Sequence, residues 1–354
     1  HNLVPYAEWM NGSVLLLHRS DYGCCNTLLA EQVGMLGRYT EAFFPELVYV
    51  RPQGQIEKRD SLEGSAFIDF PVDQTMIYPD YRRNTAELGK IQSSIDSVRN
   101  DTDITITSVW LKGYASPEGS YAHNKELAIG RTAALKRYIQ QLYRFEGDVI
   151  TTDYEPEDWA GLRYYVERSN LAHRAEIVTL IDGNLEPDAK EWKIKRDYPM
   201  EYSFLLQNCY PALRHTDYRI AYTIRSYSDV EEIKRIMCGR PQKLDLNEFY
   251  LAAQEYEPGT DEFTEVFETA VRMFPDDTIA NLNAANAAMR RGDLTSAKRY
   301  LAKADDSPEA VYARGALAIR QKDYDSARRY LNEAKSLGLE QAGITLEQLE
   351  KGRR

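Results

Sequence analysis

The stretch "DITITSVWLKGYASPEGSYAHNKELAIGR", residues 103–131, contains the transition that decides the fold. Apolar residues alternate through its first half, with Val109 and Leu111 on one face, and this pattern is typical of a β-strand. A turn rich in Gly, Pro and Ser follows, and a long helical pattern begins at Ser120. The sequence therefore predicts a strand that turns directly into a helix.

The same rhythm continues on both sides of this stretch. "SAFIDFPV" (65–72) predicts a strand before it, and "GDVITTDY" (147–154) predicts one after it. Between the first two strands the apolar residues have helical spacing: Leu88, Ile91, Ile95 and Val98. The second helix has an apolar stripe of Leu127, Ala134, Leu135, Tyr138 and Leu142. The resulting β-α-β-α-β order predicts some parallel pairing with right-handed crossovers.

Residues 156–212 are helical in pattern and rich in aromatic side chains, and we interpret "DGNLEPD" (182–188) as a turn between helices. After this excursion, "DYRIAYTIRSY" (217–227) alternates apolar and polar residues. We expect it to rejoin the earlier sheet as a fourth strand.

The C-terminal third contains an internal repeat. "AKRYLAKA" (297–304) and "ARRYLNEA" (327–334) are nearly identical, and Pro275 and Pro308 end successive units. The two segments begin 30 residues apart, and small residues that recur at such a period predict stacked helical hairpins.

Composition and charge narrow the class of protein. A net charge of −11 argues against a general nucleic-acid binder, because phosphate contacts need clustered Lys and Arg. No apolar run is long enough for a transmembrane helix, and no signal peptide is recognisable. Because the chain begins with His rather than Met, we expect a processed or trimmed product, and a removed targeting segment stays open.

Few residues suggest redox, metal or catalytic chemistry. Of the four cysteines, one of the adjacent pair Cys24 and Cys25 could bond to a distant Cys209 or Cys238, or all could be buried thiols. The histidines are scattered and no zinc, calcium, P-loop or dinucleotide pattern is present, so we predict no metal, no cofactor and no catalytic residue.

The C-terminal repeats resemble tetratricopeptide repeats over roughly residues 245–350. Ala285 and Gly315 stand at the tight-packing position of the first helix, and Ala297 and Ala327 at that of the second. The spacing is irregular and the usual early Trp is absent. The resemblance implies an interaction surface for a protein partner, while the bland alternative is that the repeats cap a neighbouring domain.

The opening stretch resembles the OmpA-like, peptidoglycan-associated domain. That family has Gly-(His/Tyr)-Thr-Asp-x-x-Gly, then an Asn, then Leu-Ser-x-x-Arg-Ala. This sequence matches at Gly113-Tyr114, Gly119, Asn124, Leu127 and Arg131. The resemblance covers about residues 64–228, with the helices of 156–212 inserted before the last strand.

The sequence departs from the family at one functional position. In the family an Asp holds the ammonium of diaminopimelate and the Arg holds its carboxylate, but here Ala115-Ser116 replaces Thr-Asp. A hydroxyl accepts a hydrogen bond without supplying charge, and charge-assisted bonds are the stronger kind. Glu118 in the same loop is a possible substitute acid.

The predicted ligand-binding residues are Arg131, Asn124, Ser116, Glu118 and Gly119. Each also has a purely structural interpretation. Arg131 could form an internal salt bridge or cap carbonyl groups, Asn124 could fix the loop through backbone bonds, and the glycine could serve backbone geometry.

Taken together, the sequence predicts an α+β protein: an N-terminal accessory region (1–62), an OmpA-like βαβαβ domain with helices on a mixed sheet (63–228), and an all-α tetratricopeptide-like domain (229–354). The resemblances imply a non-enzymatic protein of the cell envelope, periplasmic or outer-membrane associated, that binds peptidoglycan or a related ligand and a protein partner. "GYASPEG" is also similar to a group of envelope proteins from Gram-negative anaerobes, some encoded near fimbria components. The alternative is therefore a scaffold for surface-structure (fimbria) assembly without peptidoglycan binding, and a third hypothesis is an enzyme acting on cell-wall material.

Overall fold

The computed structural model describes residues 7, 10, 12–38, 43–55, 57–145 and 148–351. The chain divides into two compact units. One, the sheet unit, is Gln55–Ser226, and the other, the helical unit, combines His1–Gly54 with Tyr227–Arg354. Both α-helices and β-sheets are present, so the predicted α+β class is confirmed.

The helical unit begins with a β-hairpin of β1 (Val14–Tyr22) and β2 (Leu28–Arg38), which pair antiparallel. Its apolar side chains are exposed on both strands, including Leu16 and its pairing partner Met35.

The sheet unit has a mixed four-stranded sheet and two long helices. Its elements in chain order are β3 (Lys58–Ala66), α1 (Asn84–Arg99), β4 (Ile104–Tyr114), α2 (Tyr121–Tyr143), β5 (Ile150–Glu155) and β6 (Thr216–Ile224). The strand order is β3-β6-β4-β5, in which β4 and β5 are parallel and β6 is antiparallel to both of its neighbours. The predicted parallel pair and the fourth strand are therefore confirmed.

One apolar core joins α1 and α2 to the sheet. It contains Leu88, Ile91 and Ile95 from α1, Val109 and Leu111 from β4, and Leu135 and Ile139 from α2. The helical periodicity thus predicted the buried faces correctly, except at Leu142, which is 48% exposed near the end of α2.

The predicted strand at 65–72 is wrong in position, because β3 ends at Ala66. Beyond that residue, backbone amides bond to side chains of α1 instead of a neighbouring strand: the Phe67 amide donates to Glu87 Oε2 (3.0 Å) and the Asp69 amide to Asn84 Oδ1 (2.7 Å). The alternating residues therefore leave the sheet and form a wall beside α1.

Four α-helices separate β5 from β6, and they fall within the region 156–212 that the sequence predicts to be helical. They are α3 (Trp159–Glu167), α4 (Arg174–Asp182), α5 (Pro187–Asp197) and α6 (Pro199–Asn208), and they share a separate apolar cluster. The turn between α4 and α5 falls within 182–188.

The rest of the helical unit is a stack of helices: α7 (Val230–Gly239), α8 (Leu246–Ala253), α9 (Asp261–Met273), α10 (Thr278–Arg291), α11 (Leu294–Leu301), α12 (Pro308–Arg320), α13 (Tyr324–Ser336) and α14 (Glu340–Lys351). The first repeated segment (297–304) begins in α11 and ends three residues beyond it, and the second (327–334) lies within α13. The predicted helices are present, α10 and α11 being joined by a two-residue turn and α12 and α13 by a three-residue turn. The small residues Ala285, Ala297 and Ala327 are fully buried.

Residues 43–51, here called the strap, contain no helix or strand and lie against this stack, with Leu47 and Val50 packed on one of its apolar clusters. The cysteine expectation is confirmed only for Cys209, a buried free thiol, because Cys24 and Cys238 are free but exposed. The side chain of Cys25 lies outside the described residues. None of the described helices has the length and apolar character needed to cross a bilayer.

Candidate functional site

All five residues that the sequence singles out surround one cavity of the sheet unit, of about 510 Å³. The cavity lies where β4 ends and α2 begins, and the wall after β3 closes one side. Its lining is Phe67, Ile68, Asp69, Phe70, Val72, Asp73, Tyr81, Arg82, Arg83, Ala115, Ser116, Glu118, Gly119, His123, Asn124, Leu127, Arg131, Pro211 and Arg214.

The loop between β4 and α2 is built by local backbone chemistry. The Glu118 amide donates to the Ser116 carbonyl (2.7 Å), and Gly119 adopts φ +95°, a left-handed conformation that favours glycine. Ser120 then caps α2 by accepting from the His123 amide. Gly119 thus has the structural role in the turn, and it also lines the cavity.

Arg131 is half-buried on α2 and lines the cavity, and its positive charge is not neutralised by an ion pair with any described residue. Its Nε donates to the Gln74 carbonyl (3.3 Å), and its guanidinium lies 5.0 Å from the centre of the Phe70 ring. Among the described residues it forms no ion pair with a carboxylate.

Burial lowers the pKa of Arg131, the nearby charge of Arg214 lowers it further, and Asp73 raises it. Arg131 therefore lines the pocket as a guanidinium without a paired acid in the described part of the chain. Arg83 also lines the pocket, and among the described residues it has no ion pair either, but it is exposed, whereas Arg131 is half-buried.

Arg214 is a site residue that the sequence interpretation missed. Its Nε donates to Ser116 Oγ (2.9 Å), and it forms an ion pair with Glu118. It precedes β6, whose Thr216 pairs with Gly113 at the end of β4. That antiparallel register is the signal that could have placed Arg214 beside the loop.

Asn124 is buried and bonds to a side chain rather than to the loop backbone. Its Nδ2 donates to Glu157 Oε1 (2.9 Å), while Trp159 Nε1 donates to the other carboxylate oxygen (2.8 Å). Burial raises the pKa of Glu157, and these two hydrogen bonds counteract that rise. Asn124 thereby connects the start of α2 to the segment that precedes α3.

The other acids of the pocket also have side-chain partners. Asp69 pairs with Arg82 (3.5 Å), and Asp73 contacts His123 Nε2 (2.9 Å). With Glu118 already paired, these contacts leave Arg131 as the group best able to accept an incoming anion.

The arrangement does not activate Ser116 as a nucleophile. Ser116 Oγ contacts a guanidinium, which cannot accept its proton and so cannot act as a general base. No group of His, Cys, Asp or Glu side chains within the described residues could hold a metal ion.

Comparison with known proteins adds no family to this description. No protein-family model matches the chain, and no curated protein matches it.

Proposed function

We propose that the sheet unit is a non-catalytic, OmpA-like binding domain whose pocket takes the carboxylate of a peptidoglycan peptide or of a related anionic ligand. The observation that carries the proposal is Arg131, a half-buried guanidinium that lines the cavity without a carboxylate partner. Two parallel N–H···O bonds to a carboxylate are the contact that this planar group makes best.

The pocket also indicates which part of a ligand it favours. Ser116 stands where the family has an ammonium-binding Asp, and Arg214 already engages both Ser116 and Glu118. An ammonium group on the ligand would therefore find no free carboxylate in the loop to pair with. The ligand that fits is one that binds mainly through a carboxylate, rather than through a carboxylate and an ammonium group together.

The test is co-sedimentation with insoluble peptidoglycan, followed by calorimetric titration of soluble peptidoglycan fragments. Hydrogen bonds to a charged group contribute about 1.5–3 kcal/mol, so Arg131→Ala should weaken binding by roughly 10- to 100-fold. Arg137→Ala is the matched control, because Arg137 is exposed on the same helix and does not line the cavity. Wild-type protein that stays in the supernatant, or equal losses in the two variants, contradicts the proposal.

For the helical unit we propose that residues 245–350 are a tetratricopeptide-like array that contacts a protein partner. The burial of small residues at the repeat positions supports this relationship. Together the two units suit a protein of the cell envelope, periplasmic or outer-membrane associated, that has no enzymatic activity.

The second candidate is a scaffold for surface-structure (fimbria) assembly that does not bind peptidoglycan. The engagement of Ser116 and Glu118 by Arg214 favours it, because the family's charged pair is altered there. Cross-linking in cells should then capture a protein partner through residues 245–350 while peptidoglycan sedimentation is negative. Failure to capture any partner counts against the scaffold.

A further inference from the structure

The strap, residues 43–51, is held through its main chain by two asparagines of α10. Asn283 uses both ends of its amide: Nδ2 donates to the Val50 carbonyl (2.7 Å), and Oδ1 accepts from the Val50 amide (2.9 Å). One helical turn further on, Asn286 Nδ2 donates to the Val48 carbonyl (2.7 Å). These contacts are two residues apart along the strap, which is the repeat of an extended chain.

The next helix in the series continues the same pattern. Tyr312 on α12 donates its hydroxyl to the Glu46 carbonyl (2.6 Å), again two residues along. Thr345 on α14 lies 2.9 Å from the same hydroxyl, and Gln341 contacts the Glu46 side chain at 3.4 Å. At the opposite end, Arg51 Nε donates to Asn247 Oδ1 on α8 (2.9 Å). The strap therefore crosses α14, α12, α10 and α8 in turn.

Aromatic side chains of the strap enter defined positions. The Tyr49 ring lies 5.1 Å from that of Phe263 in an edge arrangement and 5.4 Å from that of Phe267 in a stacked one, between centroids. Burial raises the pKa of Tyr49 far above its ordinary value. This ring contributes a large apolar contact of fixed geometry.

The second aromatic side chain of the strap, Phe44, lies close to two arginines. The guanidinium of Arg290 lies 5.1 Å from the centre of the Phe44 ring, and that of Arg320 lies 4.8 Å from it. Both are within the range of cation–π attraction. The two aromatic positions and the main-chain contacts together specify a register, not only an apolar surface.

The helix sequence itself is explained by such a ligand. Asn283 and Asn286 are each only 1% exposed in the interior of α10, where an unbonded amide group costs free energy. The neighbouring Asn281 bonds to the carbonyls of Pro275 and Asp277 at the start of its own helix. Asn283 and Asn286 have no such local role, and both amides donate to the strap.

We propose that this surface, formed by α8, α10, α12 and α14, is a binding site for an extended peptide, and that the strap is its resident ligand, bound within the same chain. The site takes a segment with exposed main-chain amides, an aromatic residue for the Phe263–Phe267 position and a second aromatic five residues earlier. A partner that used this surface would have to carry the same chemistry and displace the strap. The inference does not depend on the ligand of the sheet unit.

The first test separates the strap from the rest of the chain without changing either. Gln53, Gly54 and Gln55 are exposed, so a site for a specific protease inserted after Gly54 should be cleavable in the folded protein. After cleavage, the fragment that ends at Gly54 should co-elute with the remainder on size exclusion. Excess synthetic peptide of residues 43–51 should release that fragment, whereas a scrambled peptide should not.

The second test identifies the groups that bind. Asn283→Ala with Asn286→Ala removes three hydrogen bonds, and the loss of affinity should be at least tenfold, so the cleaved fragment should dissociate. Asn332→Ala is the matched control, because that asparagine is exposed on α13 and bonds only to the Arg328 carbonyl. Circular dichroism of the uncut variants checks that the helices persist.

A third measurement uses competition. In the uncut protein the tether gives a local strap concentration of about 1 mM. The comparison form is the cleaved protein from which the fragment ending at Gly54 has been removed. If a labelled strap peptide binds that form with a Kd of about 100 µM or tighter, it should bind the uncut protein at least about tenfold more weakly. Equal binding to both forms, release of the fragment on cleavage alone, or retention in the Asn283 and Asn286 variant overturns the proposal. If this proposal is overturned, a partner cross-linked elsewhere on residues 245–350 would still support the separate proposal of a protein partner.

Discussion

A single methyl group added at Gly113 is expected to destabilise the sheet unit severely. Gly113 is buried near the end of β4, and a Cβ there would lie 1.9 Å from Thr132 Oγ1 and 3.3 Å from the Ala128 carbonyl oxygen. Thr132 Oγ1 donates to that same carbonyl (2.7 Å), so Thr132 cannot move without losing its hydrogen bond. Overpacking costs about 1–3 kcal/mol and the bond about 1 kcal/mol, so Gly113→Ala should cost about 2–4 kcal/mol.

Urea denaturation followed by tryptophan fluorescence measures this loss in the correct unit. The sheet unit contains Trp110, Trp159 and Trp192, and the remaining tryptophan of the chain, Trp9, lies outside the described residues. The midpoint should fall with little change in slope if the compactness of the folded and unfolded states is unaltered.

Two further variants test the cause rather than the size of the effect. Gly89→Ala is the matched control, because its Cβ would meet no atom within 4 Å in α1, and a helical Gly→Ala change should be neutral or stabilising by up to about 1 kcal/mol. Thr132→Ala should recover part of the loss caused by Gly113→Ala, because it removes the atom in closest conflict. Additive losses in the double variant would refute the steric argument.

Two other predictions concern the walls of the pocket. Because the folded pKa of Glu157 is raised, folding retains a proton that the unfolded chain loses, and stability falls as pH rises from the ordinary Glu value through the raised one. Asn124→Ala removes a hydrogen bond that lowers this pKa, so the variant should lose more folding stability at about pH 8 than at about pH 4. Equal losses of stability at both pH values would contradict the role of Glu157. Asn84 is fully buried, and it bonds to the amide and carbonyl of Asp69 and to the carbonyl of Tyr78. Asn84→Ala should therefore lower the free energy of unfolding by about 2–4 kcal/mol, and it should weaken ligand binding by displacing the wall after β3. Retained stability in the same denaturation assay would show that this wall is held by other contacts.

The sequence predicted elements whose buried faces follow a regular period. The four apolar residues of α1 and the Ser120 cap of α2 are local signals, and each lies where the pattern placed it. The strand β3 was misplaced because "KRDSLEGS" (58–65) has a single apolar residue, Leu62, while the apolar run after it leaves the sheet. Local alternation cannot distinguish a paired strand from an extended wall that bonds to helix side chains.

The candidate site shows the same division between local and distant information. Ser116, Glu118, Asn124 and Arg131 lie within sixteen residues of one another, and the turn brings them to one cavity. Arg214 is 98 residues from Ser116, and only the pairing of β6 with β4 brings it there. Motif spacing therefore identified the pocket but not the charge that decides its ligand.

The strap exposes a limit of a different kind, because its hydrogen bonds with α10 and α12 are made through its backbone atoms. Main-chain amides and carbonyls are the same in every sequence, so these bonds leave no mark in the sequence of residues 43–51. The signal is in the receptor: "NLNAANAA" (281–288) places three asparagines among small buried residues of a helix interior. Since buried amides require hydrogen-bond partners, asparagines spaced by about one turn on such a helix predict an extended chain lying across it.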